Sequence, residues 1–138
     1  MRQLVVDASV AIKWFVPEVH SPAAVRLLDP DTVLFAPDSI GPEIANALWK
    51  KVRRGEITAD EASEILSAFA RAGVEIFPSH VLVASAFELA VSLGRTVYDG
   101  LYLALAIAQD CPLVTADRKF HAAVSASPFA QHIELFAD

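Results

Sequence analysis

The chain has 138 residues, 54% of them hydrophobic, and a formal net charge of −6; this length suits one domain with one core, and the acidic balance argues against a protein that coats nucleic acid without specificity. No apolar run approaches the roughly 18 residues that a membrane span requires, no secretion-signal pattern precedes the first strand, and the single cysteine, Cys111, excludes an intrachain disulfide and a thiolate metal cage. We therefore expect one soluble, cytoplasmic domain over residues 1–138, with surplus apolar residues that suggest a subunit interface.

The first half of the chain predicts strands and helices in alternation. Both strands are short continuous apolar runs, and the longest helix has apolar residues at i, i+4 and i+8, namely Ile44, Leu48 and Val52. In chain order the predicted elements are a strand at 4–6, helices at 9–16 and 21–28, a strand at 33–36 and a helix at 39–54.

The second half continues the alternation. Thr58 and Glu61 form a capping box at the start of one helix, and Asp99-Gly100 is predicted to open another. The elements are helices at 58–72, 80–93, 99–109 and 118–126, strands at 74–77 and 113–115, and a possible edge strand at 133–136. This pattern predicts an α/β/α sandwich around a mainly parallel sheet of four to five strands.

Four acidic residues fall where chemistry is expected in such a sheet. Asp7 directly follows the first strand, and Asp117 comes two residues after Thr115, which ends the strand at 113–115. Glu43 and Asp99 lie at helix N-termini. Strand carboxyl ends and helix N-termini share one edge of a parallel α/β unit, where ligands bind. We therefore expect all four carboxylates to converge.

Each acid also has a structural explanation, because carboxylates cap helices and complement helix dipoles. A cluster is harder to explain in this way, since two carboxylates about 4 Å apart repel by roughly 4 kcal/mol at an effective dielectric near 20. No lysine or arginine lies within two residues of Asp7, Glu43 or Asp99. A divalent cation would neutralise the cluster, and its hard oxygen ligands favour Mg²⁺ or Mn²⁺ over Zn²⁺.

Four stretches of the chain match a known family in order and span almost its whole length: "VVDASVAIKWFVPE", "PEIANALWK", "TVYDGLYLALA" and "LVTADRKF". With them the chain resembles PIN-domain ribonucleases, and in particular the VapC toxins of toxin–antitoxin pairs. The resemblance implies a single PIN domain. It also implies that Ser9 and Thr115 support the site by hydrogen bonds, and that four acids bind one or two Mg²⁺ or Mn²⁺ ions: Asp7, Glu43, Asp99 and Asp117.

The same resemblance implies an activity and partners. The chain is expected to be a metal-dependent endoribonuclease that hydrolyses RNA phosphodiester bonds as the toxin of a VapBC-type pair. A VapB-type antitoxin is expected to block the acidic pocket with its tail. A homodimer is also expected, with no membrane association and no direct DNA binding without the antitoxin.

Basic residues near the predicted edge are candidate RNA contacts. Lys50 and Arg54 share a helix face with Glu43, although they also complement the helix dipole. Arg118 and Lys119 directly follow Asp117, and Lys13 lies one helical turn beyond Ser9. Three aromatic residues could stack on bases, but their apolar neighbours favour packing in the core or at an interface: Trp14, Phe15 and Trp49.

Binding or signalling modules without nuclease activity remain an alternative. A receiver-like phosphoacceptor domain would need an acidic pair after the first strand and a lysine after the last parallel strand, but here Asp7 stands alone. A phosphohydrolase of the D-x-D type is disfavoured, because Ser9 stands where the second aspartate of that motif belongs. A PIN scaffold used only for binding is the third reading.

Overall fold

Five short strands form one sheet in the computed structural model of the chain, which describes residues 1–17 and 21–136. The strands are β1 (Arg2–Val6), β2 (Thr32–Pro37), β3 (Glu75–Phe77), β4 (Leu113–Thr115) and β5 (Ile133–Leu135). They lie in the order β3-β2-β1-β4-β5, and every neighbouring pair is parallel. The predicted sheet is confirmed, with all five strands present.

Helices connect these strands and cover the sheet. They are α1 (Ala8–Ala11), α2 (Ser21–Arg26), α3 (Ile40–Arg53), α4 (Ala59–Ala70), α5 (Val83–Leu93), α6 (Val97–Ala108) and α7 (Arg118–Ser125). Single 3₁₀ turns occupy Ile12–Trp14, Ser79–Val81 and Ala130–His132. Among the described residues, no helix has both the length and the apolar character needed to cross a membrane.

The core lies between the central strands and α6. Leu4, Val5 and Val6 of β1 are completely buried, and so is nearly all of the apolar run of α6 from Leu101 to Ala106. β1 is the centre of the sheet because it pairs with both β2 and β4. Strands covered on both faces must be apolar throughout rather than alternating, which is the pattern seen in the sequence.

The sheet order decides one of the alternatives. Receiver domains of the flavodoxin-like type have the strand order 2-1-3-4-5. In this chain β1 pairs directly with β4, and β3 lies at the edge beyond β2. The receiver-domain alternative is therefore wrong.

Several helices begin or end differently from the prediction: α2 ends at Arg26, α5 begins at Val83 after a 3₁₀ turn, and two further differences lie near the acids. The helix predicted over 9–16 is a short α1 followed by a 3₁₀ turn. The prediction that Asp99-Gly100 opens α6 is wrong, because Thr96 is the N-cap and its hydroxyl accepts a hydrogen bond from the Asp99 N–H at 3.1 Å. Gly100 instead allows close packing, since a Cβ there would lie 2.3 Å from the Ala86 carbonyl oxygen of α5.

Candidate active site

The buried acid of the site is Asp7, which ends β1 and caps α1. Its side chain is 7% exposed. It accepts hydrogen bonds from the Ser9 hydroxyl at 2.5 Å, the Thr115 hydroxyl at 2.5 Å and the Val10 N–H at 3.2 Å. These three donors fix both carboxylate oxygens and join the ends of the neighbouring strands β1 and β4.

Asp117 lies just beyond β4 and is the N-cap of α7. Its carboxylate accepts hydrogen bonds from the backbone N–H groups of Lys119 at 3.0 Å and Phe120 at 3.1 Å. Its own N–H donates to the Thr115 hydroxyl at 3.1 Å. Thr115 therefore contacts both aspartates, and the capping role considered for Asp117 is confirmed.

Glu43 and Asp99 come from the first turns of α3 and α6. Both line one cavity of about 720 Å³. The other residues around this cavity come from the same two helix starts: Ser39, Pro42, Asn46, Thr96 and Tyr98. The carboxylates predicted from two helix N-termini thus share one space.

The pKa values of three acids indicate that neighbouring carboxylates of the site repel one another. Burial, with a smaller contribution from the Asp99 charge, raises the pKa of Asp7 to about 6, against the Ser9 and Thr115 hydrogen bonds. Burial raises the pKa of Glu43 to about 7, with added repulsion from Asp7 and Asp99. Burial also raises the pKa of Asp99, and the Asp117 charge adds to this effect.

Arg95 is a site residue that the sequence reasoning missed. Its Nε donates to Asp99 Oδ2 at 3.0 Å, and its Nη2 donates to Asp117 Oδ2 at 2.9 Å. The guanidinium also lies 5.4 Å from the centre of the Phe120 ring. Asp99 therefore has a counter-charge, although no lysine or arginine lies within two residues of it in sequence. Arg95 stands four residues before Asp99, so a search over one helical turn, rather than two residues, would have found it.

The donor atoms of the cluster suit a hard cation, because all four acids offer carboxylate oxygens. The buried Oε1 of Glu43 has no hydrogen bond of normal geometry among the described residues, and the same holds for the hydroxyls of Ser39 and Tyr102. Both hydroxyls nevertheless lie close enough to the Glu43 carboxylate to lower its pKa. A buried carboxylate oxygen without a hydrogen-bond partner beside this cavity fits a bound cation or water.

The four acids are too far apart in this structure to surround one metal ion. Among the described residues, no three carboxylate, imidazole or thiol groups lie close enough to hold one ion together. Arg95 holds one oxygen each of Asp99 and Asp117. It would therefore compete with a cation for these two oxygens.

The predicted RNA contacts lie at three places. Arg118 and Lys119 are exposed beside Asp117, and Lys50 and Arg54 are exposed at the far end of α3. Lys13 is 9% exposed, so it offers the least surface to RNA of the five.

The three aromatic residues separate into two groups. Trp14 is 8% exposed, donates its indole N–H to the Ala24 carbonyl at 2.8 Å and stacks on Phe69. Phe15 is half-buried against the core. Trp49 is not packed in the core, because it is 53% exposed, and its packing at an interface stays a prediction.

The chain is similar to proteins of a known family. A model of the PIN domain matches residues 4–125. The chain is 39% identical over 120 residues to Ribonuclease VapC3 of Pyrobaculum aerophilum, which covers 85% of this chain and 91% of that protein. It is 32% identical over 124 residues to Ribonuclease VapC1 of Mycobacterium tuberculosis, which covers 89% of this chain and 92% of that protein.

Two solved structures share the fold. PAE2754 from Pyrobaculum aerophilum superposes with a TM-score of 0.74 at 24% identity, covering 96% of this chain and 83% of that chain. VapBC2 from Rickettsia felis, bound to a DNA fragment from their promoter, superposes with a TM-score of 0.66 at 14% identity, covering 97% of this chain and 98% of that chain. The predicted PIN-like α/β/α sandwich is confirmed.

Proposed function

The chain belongs to the PIN-domain family, among relatives named as VapC ribonucleases, and on that premise we propose that it is a metal-dependent endoribonuclease and the toxin of a VapBC-type toxin–antitoxin pair. The observation that carries this proposal is the coupling of four carboxylates from four separate elements. Burial and mutual repulsion raise the pKa values of Asp7, Glu43 and Asp99 together. Such shifts are concentrated at functional sites.

Four side chains would hold one or two Mg²⁺ or Mn²⁺ ions: Asp7, Glu43, Asp99 and Asp117. A divalent cation supplies neutralisation of phosphate charge and lowers the pKa of a bound water. Two features of the site support this cation: the four oxygen donors and the orphaned Oε1 of Glu43.

The chain's own residues set the geometry of hydrolysis. Ser9 and Thr115 hold Asp7 in one orientation, and the first amides of α7 hold Asp117. Arg95 pairs with Asp99 and Asp117, so its guanidinium lies beside two of the acids that would hold the cation, where it could also bind a phosphate. Arginine matches phosphate oxygens with two parallel hydrogen bonds. Because water attacks rather than the ribose 2′-hydroxyl, the products carry a 5′-phosphate and a 3′-hydroxyl.

RNA would approach over basic side chains. Arg118 and Lys119 flank Asp117, and Lys50 and Arg54 extend the surface along α3. We keep Lys13 as a weaker candidate because it is buried.

The proposed partners follow from the family. The structure from Rickettsia felis is a VapBC2 assembly, which supports a VapB-type antitoxin for this chain, acting in the cytoplasm. A homodimer is supported by an apolar stripe on α5, where Val83, Phe87 and Val91 are exposed at i, i+4 and i+8. Surface patches of this kind mark protein interfaces.

Cleavage of RNA by the purified chain tests the proposal. We expect cleavage with Mg²⁺ or Mn²⁺, none with EDTA, and none from Asp99→Asn under the same conditions. Asp60→Asn is the matched control, because Asp60 is an exposed acid on α4 outside the cluster. Cleavage that persists in EDTA or in Asp99→Asn, or products with cyclic phosphate ends, would contradict the proposal. A chain that binds RNA but never cleaves it would favour the scaffold alternative.

A further inference from the structure

One face of α3 leads from the acidic cavity to the far end of the helix. Pro42, Asn46, Trp49 and Arg53 recur at i, i+4, i+7 and i+11, and all four are exposed. This face is opposite the buried side of α3. Pro42 and Asn46 line the acidic cavity, so the face is continuous with the site.

Trp49 is unusually exposed on this face for a large aromatic residue. A large aromatic side chain normally buries most of its surface, yet Trp49 is 53% exposed. The Arg53 guanidinium carbon lies 5.1 Å from the centre of its ring. Both residues line a second cavity, of about 370 Å³, together with Lys50 and Arg54.

Positive charge is concentrated at the same place. The chain has 11 lysines and arginines with a net charge of −6, and four of these basic residues fall between positions 50 and 54. Lys51 is half-buried and pairs with Glu56 at 3.6 Å, while Lys50, Arg53 and Arg54 are exposed. The helix dipole explains basic residues in the last turn, but it does not explain an exposed indole among them.

We propose that Trp49 and Arg53, with Lys50 and Arg54, form a subsite for an unpaired nucleotide of single-stranded RNA. This inference rests on the proposed ribonuclease function and names the form of RNA that the site takes. Indole rings and guanidinium planes are both stacking platforms for unpaired bases. The lysine and arginine side chains neutralise the adjoining phosphates.

The distance along α3 fits a short strand of RNA. Six residues separate Glu43 from Trp49, which corresponds to about 9 Å along a helix. Stacked nucleotides rise about 3.4 Å each, so about three nucleotides span the gap between the acidic cavity and Trp49. Because neighbouring base pairs cover the faces of a base inside a duplex, the subsite selects RNA that is single-stranded next to the cleaved bond.

Tryptophan fluorescence tests this subsite without cleavage. The full chain is titrated with single-stranded RNA in EDTA, and duplex RNA of the same sequence is the comparison. Trp49 is the exposed tryptophan and Trp14 the buried one, so quenching by stacked bases reports on Trp49. We expect quenching by single-stranded RNA and little by duplex RNA.

Variants separate stacking from charge. Trp49→Ala should weaken single-stranded RNA binding, measured by anisotropy of labelled RNA, by about 10-fold to 100-fold, and Trp49→Phe should restore most of it. Arg53→Ala should lower the slope of log K against log salt by about 0.7. Arg71→Ala, an exposed arginine on another helix end, is the matched control and should bind as the wild type does.

The outcomes separate failure of the subsite from failure of the proposed ribonuclease function. If wild type cleaves RNA but Trp49→Ala binds and cleaves as well as wild type, the subsite is refuted and the nuclease stands. Quenching that depends on protein concentration without RNA would place Trp49 in a contact between two copies and refute the subsite. If the wild type binds single-stranded RNA with quenching but shows no metal-dependent cleavage, the nuclease function is refuted and the subsite stands.

Discussion

Asp7 is a residue at which the folded state bears an electrostatic penalty. Its carboxyl is buried, and its pKa is raised from 3.8 to about 6. The folded state therefore holds its proton over a pH range in which the unfolded chain has released it. By linkage, this stabilisation is present below about pH 4 and is lost as the pH rises through about 6.

A pH series of unfolding tests this assignment. Without metal, the free energy of unfolding should fall by about 2 kcal/mol between pH 4 and pH 8 on account of Asp7, at about 1.4 kcal/mol per pKa unit. Asp7→Asn removes the titrating group, so its stability should fall less over the same range and exceed that of wild type at pH 8. Urea unfolding in EDTA measures both proteins. Parallel pH curves would contradict the assignment.

Arg95 provides a second prediction at the residue scale. Arg95→Gln removes the positively charged guanidinium that pairs with Asp99 and Asp117, so the metal-free protein should lose about 1 to 2 kcal/mol of stability. Divalent metal should bind at least about fivefold more tightly, because a competing positive charge is gone. Calorimetric titration with Mn²⁺ measures this, with Arg26→Gln, on α2, as the control. Weaker metal binding by Arg95→Gln would show that Arg95 assists the cation instead.

The sequence patterns placed the acids at one edge of the sheet, and the family resemblance named Ser9 and Thr115, but neither indicated Arg95. Asp7 and Asp117 could be predicted because each follows an apolar strand, and parallel strands end at one edge. Arg95 contacts Asp117 across 22 residues, and no local pattern encodes that contact. The exposure of Trp49 was missed because apolar neighbours in sequence lie on the other side of its helix.

At the scale of elements, the packing of α5 against α6 positions Asp99. Gly100 follows Asp99 and faces the Ala86 backbone of α5 so closely that a Cβ would lie 2.3 Å from its oxygen. Backbone atoms cannot move aside as a flexible side chain can. The first turn of α6 therefore has little conformational freedom, and its contact with α5 fixes the position of Asp99.

Substitution of Gly100 tests this coupling. Gly100→Ala should lower stability by about 1 to 3 kcal/mol through overpacking, and it should reduce RNA cleavage because Asp99 moves with the helix turn. Gly41→Ala is the matched control in the first turn of α3, where nothing lies within 4 Å of an added Cβ. Thermal unfolding and cleavage rates measure both. Equal values for the two variants would contradict the role of Gly100.

Most elements could be predicted because their signals are local. Apolar runs predicted the strands, and the capping box of Thr58 and Glu61 predicted the start of α4, which the structure confirms with both hydrogen bonds. The start of α6 was misplaced because Asp99 before Gly100 resembles an N-cap in sequence, and Gly100 suggested a turn. Its actual reason is a contact with Ala86 of another helix.

At the scale of the whole molecule, the sheet order brings the acids together. β1 lies between β2 and β4, so Asp7 and Asp117 follow adjacent strands although 110 positions separate them in sequence. Alternation of strands and helices predicted a parallel sheet, but it did not predict which strands are neighbours. That order depends on packing between distant segments, and chain order alone leaves it open.

Binding of Mn²⁺ to the RNA-free protein is the most direct test of the claim that four distant carboxylates act as one metal site. Calorimetric titration should give one or two ions per chain, and Asp7→Asn, Glu43→Gln, Asp99→Asn and Asp117→Asn should each weaken binding by at least about tenfold, or about 1.4 kcal/mol. Asp60→Asn should bind as wild type does. If wild type binds no Mn²⁺, or if all four variants bind it as tightly as wild type, the account is contradicted.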